Sequence, residues 1–292
     1  MRSILDRVRQ GEILVADGAM GTMLFSRGLK AGDCPEALNL TKPALLTEIA
    51  QAYFDAGAEI IQTNTFGASP LRLADYSLAD QTEEINRKAV KAVRQAVGQQ
   101  AYVSASCGPS AKILKPYGDT KPEAMFESFK RQVSALIDAG VDIICVETMT
   151  DLTEASLAIE ATRAVSATIP VMATMTFDAT PKGFFTVMGV DIETAAARLA
   201  TIGADIIGSN CGNGINNMIK IARRFRKHTK LPLLIQSNAG LPEIEDGVLV
   251  YPETPEYMAG KAKDLIDAGV SIIGGCCGTT PEHIRAIRQA IE

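Results

Sequence analysis

The chain has no tryptophan and only two histidines, His228 and His283, in 292 residues. A metal site here therefore has to lean on sulfur or carboxylate. No apolar run approaches the roughly 18–20 residues that a membrane span needs. The N-terminus, MRSILDRVRQGE, is interrupted by charges and lacks an apolar core, so it does not have the form of a signal peptide. Positive charge is not in excess: 29 Lys and Arg stand against 34 Asp and Glu, a net charge of −5, which favours neither nucleic acid nor an anionic membrane as partner. The one basic run, RRFRKHTK from Arg223 to Lys230, falls where a helix should end, and cations there complement the helix dipole. No break in composition divides the chain, so residues 1–292 read as one domain.

The rest of the composition is ordinary for a folded globular protein: 47% apolar and 22% charged residues. Six cysteines without a secretory signal point to reduced thiols in a cytoplasm rather than to a disulfide framework.

One short pattern recurs four times, as AGAEII (56–61), AGVDII (139–144), IGADII (202–207) and AGVSII (268–273). Each comes after a helical stretch and opens a β-branched run. Gly57, Gly140, Gly203 and Gly269 suit the left-handed position that ends a helix, since glycine has no Cβ to clash there. The run after each glycine reads as a buried parallel strand. Four more candidate strands interleave, at 13–17, 101–106, 170–177 and 232–238. Amphipathic segments lie between, at 43–56, 82–97, 122–139 and 191–201. Eight alternations over this length predict a single (β/α)8 TIM barrel. Alternation alone also permits an open doubly wound sheet; length and strand count favour the closed form.

In such barrels chemistry sits at the C-terminal ends of the strands. Those ends carry Asp17, Asn64, Ser106–Cys107, Glu147, Thr176, Asn210–Cys211, Asn238 and Cys276–Cys277. Strands six and eight flank strand seven, so closure would bring Cys211 to Cys276 and Cys277. Three thiolates at a barrel mouth suit zinc with one position open, better than iron. Each cysteine alone reads as a small buried hydrophobe, and it is their convergence that reverses this. A disulfide between adjacent cysteines closes a strained ring. Gly274, Gly275 and Gly278 are expected to supply the dihedrals that turn both sulfurs to one side. Asp17 alone could merely stabilise a turn, whereas Glu147 ends an apolar strand, where a charge needs a partner. A substrate ammonium would serve both acids. The backbone of Gly18, Ala19, Met20 and Gly21 could offer N–H groups to a carboxylate. Together these features suggest amino-acid recognition. Cys34, Cys107 and Cys145 read as structural, and His283 as a surface or capping residue.

The motifs DGAMGT (17–22), TNTFGAS (63–69), ETMTD (147–151), GSNCG (208–212) and GGCCGTTPEHI (274–284) resemble those of the homocysteine S-methyltransferase family, from about residue 10 to the end. The resemblance implies Zn2+ held by Cys211, Cys276 and Cys277, with Asn238 as an oxygen ligand that substrate displaces. It also implies Asp17 and Glu147 around the amino group of L-homocysteine, with Asn210 beside them. CPEALNL (34–40), TNTFGAS and EEINRKAV (83–90) are most similar to the homocysteine domain of cobalamin-dependent enzymes within that family. The betaine-using branch is less similar, because a quaternary ammonium usually wants an aromatic cage and Cys34 and Gly67 stand where its aromatics are expected.

The implied reaction is direct displacement on an activated methyl group by a zinc-activated homocysteine thiolate, giving methionine. It needs no general base, which suits the lack of a histidine at any strand end. The expected donor is a methylcorrinoid (methylcobalamin) that this domain does not bind alone. The chain ends one helix after its cysteine pair, so that donor is expected on another protein or module, or free in solution. S-methylmethionine or S-adenosylmethionine is the alternative donor. Two rival readings remain: a phosphate-binding aldolase or isomerase, which would want a Lys or His at a strand end, and a structural zinc site, which normally has four protein ligands.

Overall fold

The computed structural model describes residues 1–245 and 248–292. Eight strands form one parallel sheet: β1 (Leu14–Val15), β2 (Ile60–Gln62), β3 (Tyr102–Cys107), β4 (Ile143–Met149), β5 (Val171–Met175), β6 (Ile206–Asn210), β7 (Leu233–Ser237) and β8 (Ile272–Gly275). Neighbours in sequence are neighbours in the sheet, and β1 lies against β8 with Leu14 opposite Ile272. On its other side β1 meets β2 through a bridge from Ala16 to Ile60. The bonds Glu59 N to Val15 O (2.8 Å) and Asp17 N to Ile60 O (3.0 Å) complete the ring. Closure decides between the two architectures that alternation permits: this is a (β/α)8 barrel.

The four recurring glycines sit at φ values of 96°, 87°, 98° and 85°, so each repeat ends a helix with its Ala-Gly or Ile-Gly and begins a strand near its Ile-Ile. The outer helices include Pro43–Asp55, Thr82–Val97, Pro122–Asp138 and Ile192–Thr201. Asp191 caps the last of these by accepting from Thr194 N at 2.8 Å. Two antiparallel hairpins lie outside the repeating pattern: Asp178–Thr180 with Gly183–Phe185 after β5, and Glu243–Glu245 with Val248–Val250 after β7. Each of these strands is three residues long, too short to register as a periodic run.

Alternation along the strands divides the core in two. One residue from every strand (Leu14, Ile60, Tyr102, Ile143, Met172, Ile206, Leu234 and Ile272) points into the barrel and packs with Ile4 and Val8 of the helix Ile4–Arg9. The outward residues, such as Val15, Ile61, Val103, Ile144 and Ile207, join the helices in the larger cluster. Further along the same inward register the side chains turn polar: Gln62, Ser106, Glu147, Asn210 and Gln236. An apolar floor thus carries a polar mouth. Cys145 lies in the floor and Cys107 in the outer layer, both fully buried.

Candidate metal centre and active site

Three thiols meet at the mouth. The sulfurs of Cys211, Cys276 and Cys277 all lie within 4.8 Å of one another, with Cys211 and Cys277 at 3.8 Å. Cys276 continues β8 beside β7, its N–H donating to Ser237 O at 2.7 Å, and Cys277 O accepts from Ala239 N at 2.9 Å. Of the three nearby glycines only Gly278 takes a left-handed φ, 82°. Gly274 and Gly275 serve by closeness instead of by dihedral. A Cβ at Gly275 would stand 2.2 Å from Thr279 Oγ1, and one at Gly18 2.7 Å from the same atom. That space admits Thr279, which accepts from Ala19 N (3.2 Å) and donates to Cys276 O (2.7 Å). Thr22 Oγ1 also accepts from Gly278 N at 3.0 Å. The first and last motifs of the chain are thereby tied together around the thiols.

Cys211 itself adopts φ 61°, a left-handed conformation that a residue with a Cβ seldom takes. Thr148, on β4 beyond Glu147, does the same at φ 58°. Asn210 joins the two. Its Oδ1 accepts from Thr148 N and from Thr174 Oγ1, each at 2.8 Å. Its Nδ2 donates to Thr148 Oγ1 (2.7 Å) and to Glu147 Oε2 (3.1 Å). The expected substrate-facing Asn210 therefore has both amide groups engaged by the protein and reaches the cavity through Glu147. Such strain is held only where the surroundings over-determine it.

Glu147 and Asp17 are 6% and 2% exposed, with no basic partner among their hydrogen bonds in the described residues. Glu147 Oε1 accepts from Ser106 Oγ at 2.5 Å. Burial nevertheless pushes its pKa up to about 7, with the hydrogen bond from Ser106 opposing. Asp17 Oδ2 accepts from Gln62 N at 2.7 Å, while Oδ1 is buried without a partner. Burial lifts Asp17 to about 8, helped by the nearby charge of Glu147. In the triad, hydrogen bonds from Cys211 and Cys276 hold Cys277 below the ordinary thiol range. Cys276 is pushed well above it by its hydrogen bonds with Cys211 and Cys277.

The residues suit a zinc ion: three sulfurs close together, and, on the loop after β7, Asn238 with a buried Oδ1 that has no partner, next in sequence to Ala239, whose N–H binds Cys277 O. The backbone of Gly18, Ala19, Met20 and Gly21, together with Glu147 and the three cysteines, lines a cavity of about 270 Å³. Met20 opens the helix Met20–Phe25, whose N-cap Ala19 offers no capping side chain, so its first N–H groups are unmatched within the helix.

Gln62, Gln236, Thr148 and Thr279 also stand at the site, although strand-end reading of the sequence does not single them out. The inward register of β2 and β7 is the available signal for the two glutamines. His283 is buried at 7% exposure instead of lying on the surface. It does cap its helix, with Nδ1 accepting from Thr280 N at 3.2 Å, and its Nε2 lies 3.0 Å from Glu253 O.

Known proteins share this architecture. Residues 14–291 match the profile of the homocysteine S-methyltransferase family. Methionine synthase of Mycobacterium leprae (strain TN) is 33% identical over 293 residues, 96% of this chain and 24% of that protein. Methionine synthase of Mycobacterium tuberculosis (strain ATCC 25618 / H37Rv) is 33% identical over 302 residues, 99% of this chain and 25% of its own length. The chain thus spans about a quarter of these curated relatives. The metallated form of the homocysteine methyltransferase MmuM from Escherichia coli superposes with a TM-score of 0.80 at 24% identity, covering 97% of this chain and 98% of that one, a likeness of fold. Its oxidized form gives 0.77 at 25% identity, over 99% and 98%. The chain belongs to the homocysteine S-methyltransferase family.

Proposed function

We propose that this barrel transfers a methyl group to the sulfur of L-homocysteine, giving methionine, at a zinc ion held by Cys211, Cys276 and Cys277. The observation that carries the reading is the convergence of three thiols on a cavity also lined by the buried carboxylate of Glu147, whose hydrogen bonds come from Ser106 and Asn210 and from no basic group. Asn238 belongs to the same proposal as an oxygen donor that the substrate displaces, supported by its unpartnered Oδ1. Zinc among three thiolates would lower the pKa of a coordinating thiol, so that the substrate sulfur is nucleophilic at neutral pH.

The chain's own residues orient the amino acid. Asp17 and Glu147 take its ammonium, and a positive charge between them offsets the desolvation that lifts both pKa values. Asn210 and Ser106 hold Glu147 in place for that contact. The segment Gly18–Ala19–Met20–Gly21 receives its carboxylate through the backbone N–H groups of Gly18, Met20 and Gly21, the N–H of Ala19 being held by Thr279. No side chain is required as a base, and the two histidines lie elsewhere: His283 in its cap and His228 ending the helix Ile215–His228.

The donor in this proposal is a methylcorrinoid presented at the mouth by a separate protein or module. A cavity of about 270 Å³ suits an amino acid and is too small for a macrocycle. The relatives named methionine synthase, some four times as long as this chain, leave length for such a module. No helix among the described residues is long and apolar enough to cross a membrane; a cytoplasmic setting, where free thiols persist, is part of the proposal. The test offers zinc-loaded protein L-homocysteine with methylcobalamin, S-methylmethionine, S-adenosylmethionine or betaine, and reads methionine. Methionine from methylcobalamin is the expected result; none from any donor overturns the reading.

A further inference from the structure

We propose that Gln236 is a specificity residue: its side-chain oxygen accepts one N–H of the substrate ammonium, so that the site separates an α-amino thiol acid from the same acid without its amino group. This rests on the reading that the cavity takes homocysteine. Gln236 is 3% exposed on β7 and lines the cavity. Its Oε1 is buried with no hydrogen-bond partner. Folded proteins rarely leave a buried amide oxygen unmatched unless a ligand or water completes it.

Two further unmatched groups accompany it, Asp17 Oδ1 and Gln62 Nε2, and Gln62 lines the same cavity. An ammonium has three N–H donors. Asp17 Oδ1, Glu147 and Gln236 Oε1 supply three acceptors, and the neutral one adds direction without a third negative charge in a low-dielectric pocket.

The backbone explains how Gln236 reaches the acid side. It pairs with Gly274 on β8. A Cβ at Gly274 would stand 2.9 Å from Ala16 Cβ, 3.0 Å from Asp17 O and 3.1 Å from Gln236 Cγ. Glycine there leaves open the space on β8 that the Gln236 stem faces from one side and the Ala16–Asp17 backbone from the other. On its other edge Gln236 O accepts from Cys211 N at 3.1 Å. Gln236 thus stands between the residue that carries the first thiol, which it meets through its backbone, and Gly274, whose other side faces the backbone of Asp17.

The experiment measures binding of L-homocysteine and of 4-mercaptobutanoate, its amino-free analogue, to the zinc-loaded protein by calorimetry. Gln236→Met keeps the bulk and removes the acceptor; Gln236→Glu keeps an acceptor. The methionine variant should bind homocysteine about tenfold or more weakly, the scale of a lost hydrogen bond to a charged group. Its affinity for 4-mercaptobutanoate should stay unchanged, and the glutamate variant should keep the preference for homocysteine. Equal weakening for both ligands, or no change for either, overturns the proposal, because a water-filled or purely structural Gln236 is indifferent to the amino group. Should the methionine variant fail to fold, the glutamate variant still decides: loss of the preference despite its acceptor overturns it. Wild-type protein that binds no homocysteine overturns the proposed function as well, whereas wild-type binding with an unmoved preference in the variants overturns only the role of Gln236.

Discussion

The two sides of the barrel mouth present the same electrostatic problem in two chemistries. On one side Asp17 and Glu147 are carboxyls pushed up to about 8 and about 7 by burial. On the other, Cys211, Cys276 and Cys277 crowd three sulfurs within 4.8 Å, with Cys277 alone drawn below the thiol range. Each side is short of positive charge, and each is completed by a cation of its own kind in the proposed reaction: an ammonium for the oxygens, a dication for the sulfurs. Soft thiolates and hard carboxylates keep the two cations apart. Asn210 is the hinge between them, since it holds Glu147 and Thr148 while Cys211 is the next residue in the chain.

The sharpest way to break this division is at the sulfurs. Cys211→Ala, Cys276→Ala or Cys277→Ala should each abolish zinc binding and methionine formation while the circular dichroism of the barrel persists. Full zinc occupancy after any one of these changes would remove that cysteine from the ligand set. On the oxygen side, Glu147→Gln should leave zinc content intact and weaken homocysteine about 10- to 100-fold, the span of a charged hydrogen bond. An unchanged titration would reject its assigned role.

Asn210→Ala tests whether the halves are joined. It leaves two part-buried groups of Thr148, the buried hydroxyl of Thr174 and one oxygen of Glu147 without their partner. Stability should fall by about 1–3 kcal/mol, and both zinc retention and homocysteine affinity should drop. A drop in only one would mean the hinge serves that side alone.

The smallest effect is in pH. Raised carboxyl pKa values contribute stability that is fully present below about pH 4, the unfolded value, and is lost as pH rises through about 7 and 8. Zinc-loaded, ligand-free protein should therefore melt at a lower temperature at pH 8.5 than at pH 6, and saturating homocysteine should flatten the slope. An equal slope with and without homocysteine would mean that the ammonium does not meet these acids.

Much of this is legible in the sequence. The four repeats ending in Ile-Ile announce helix ends and strands, because glycine at positive φ and β-branched runs are local signals. The acids and thiols stand out because each comes directly after an apolar run, where a barrel strand ends. Asn210 reads from its position as a substrate-facing residue, and its saturation by Thr148, Thr174 and Glu147 is not encoded in order alone. The glycines of GGCCG read as bends in the chain; Gly274 and Gly275 instead make room, for the Gln236 stem and for Thr279. Gln62 and Gln236 escape a sequence reading because a polar residue inside a strand announces itself only once its face is known.

Sequence by itself determined the number of barrel strands, their order and the chemical types at their ends, since these follow from periodicity and side-chain character. Only the tertiary structure decided which of those ends meet. Cys211 and Cys276 are 65 residues apart in the chain and come within reach because β6, β7 and β8 pair in register. Contact across a closed barrel is a property of the ring, set by hydrogen bonds between strands that no local pattern encodes.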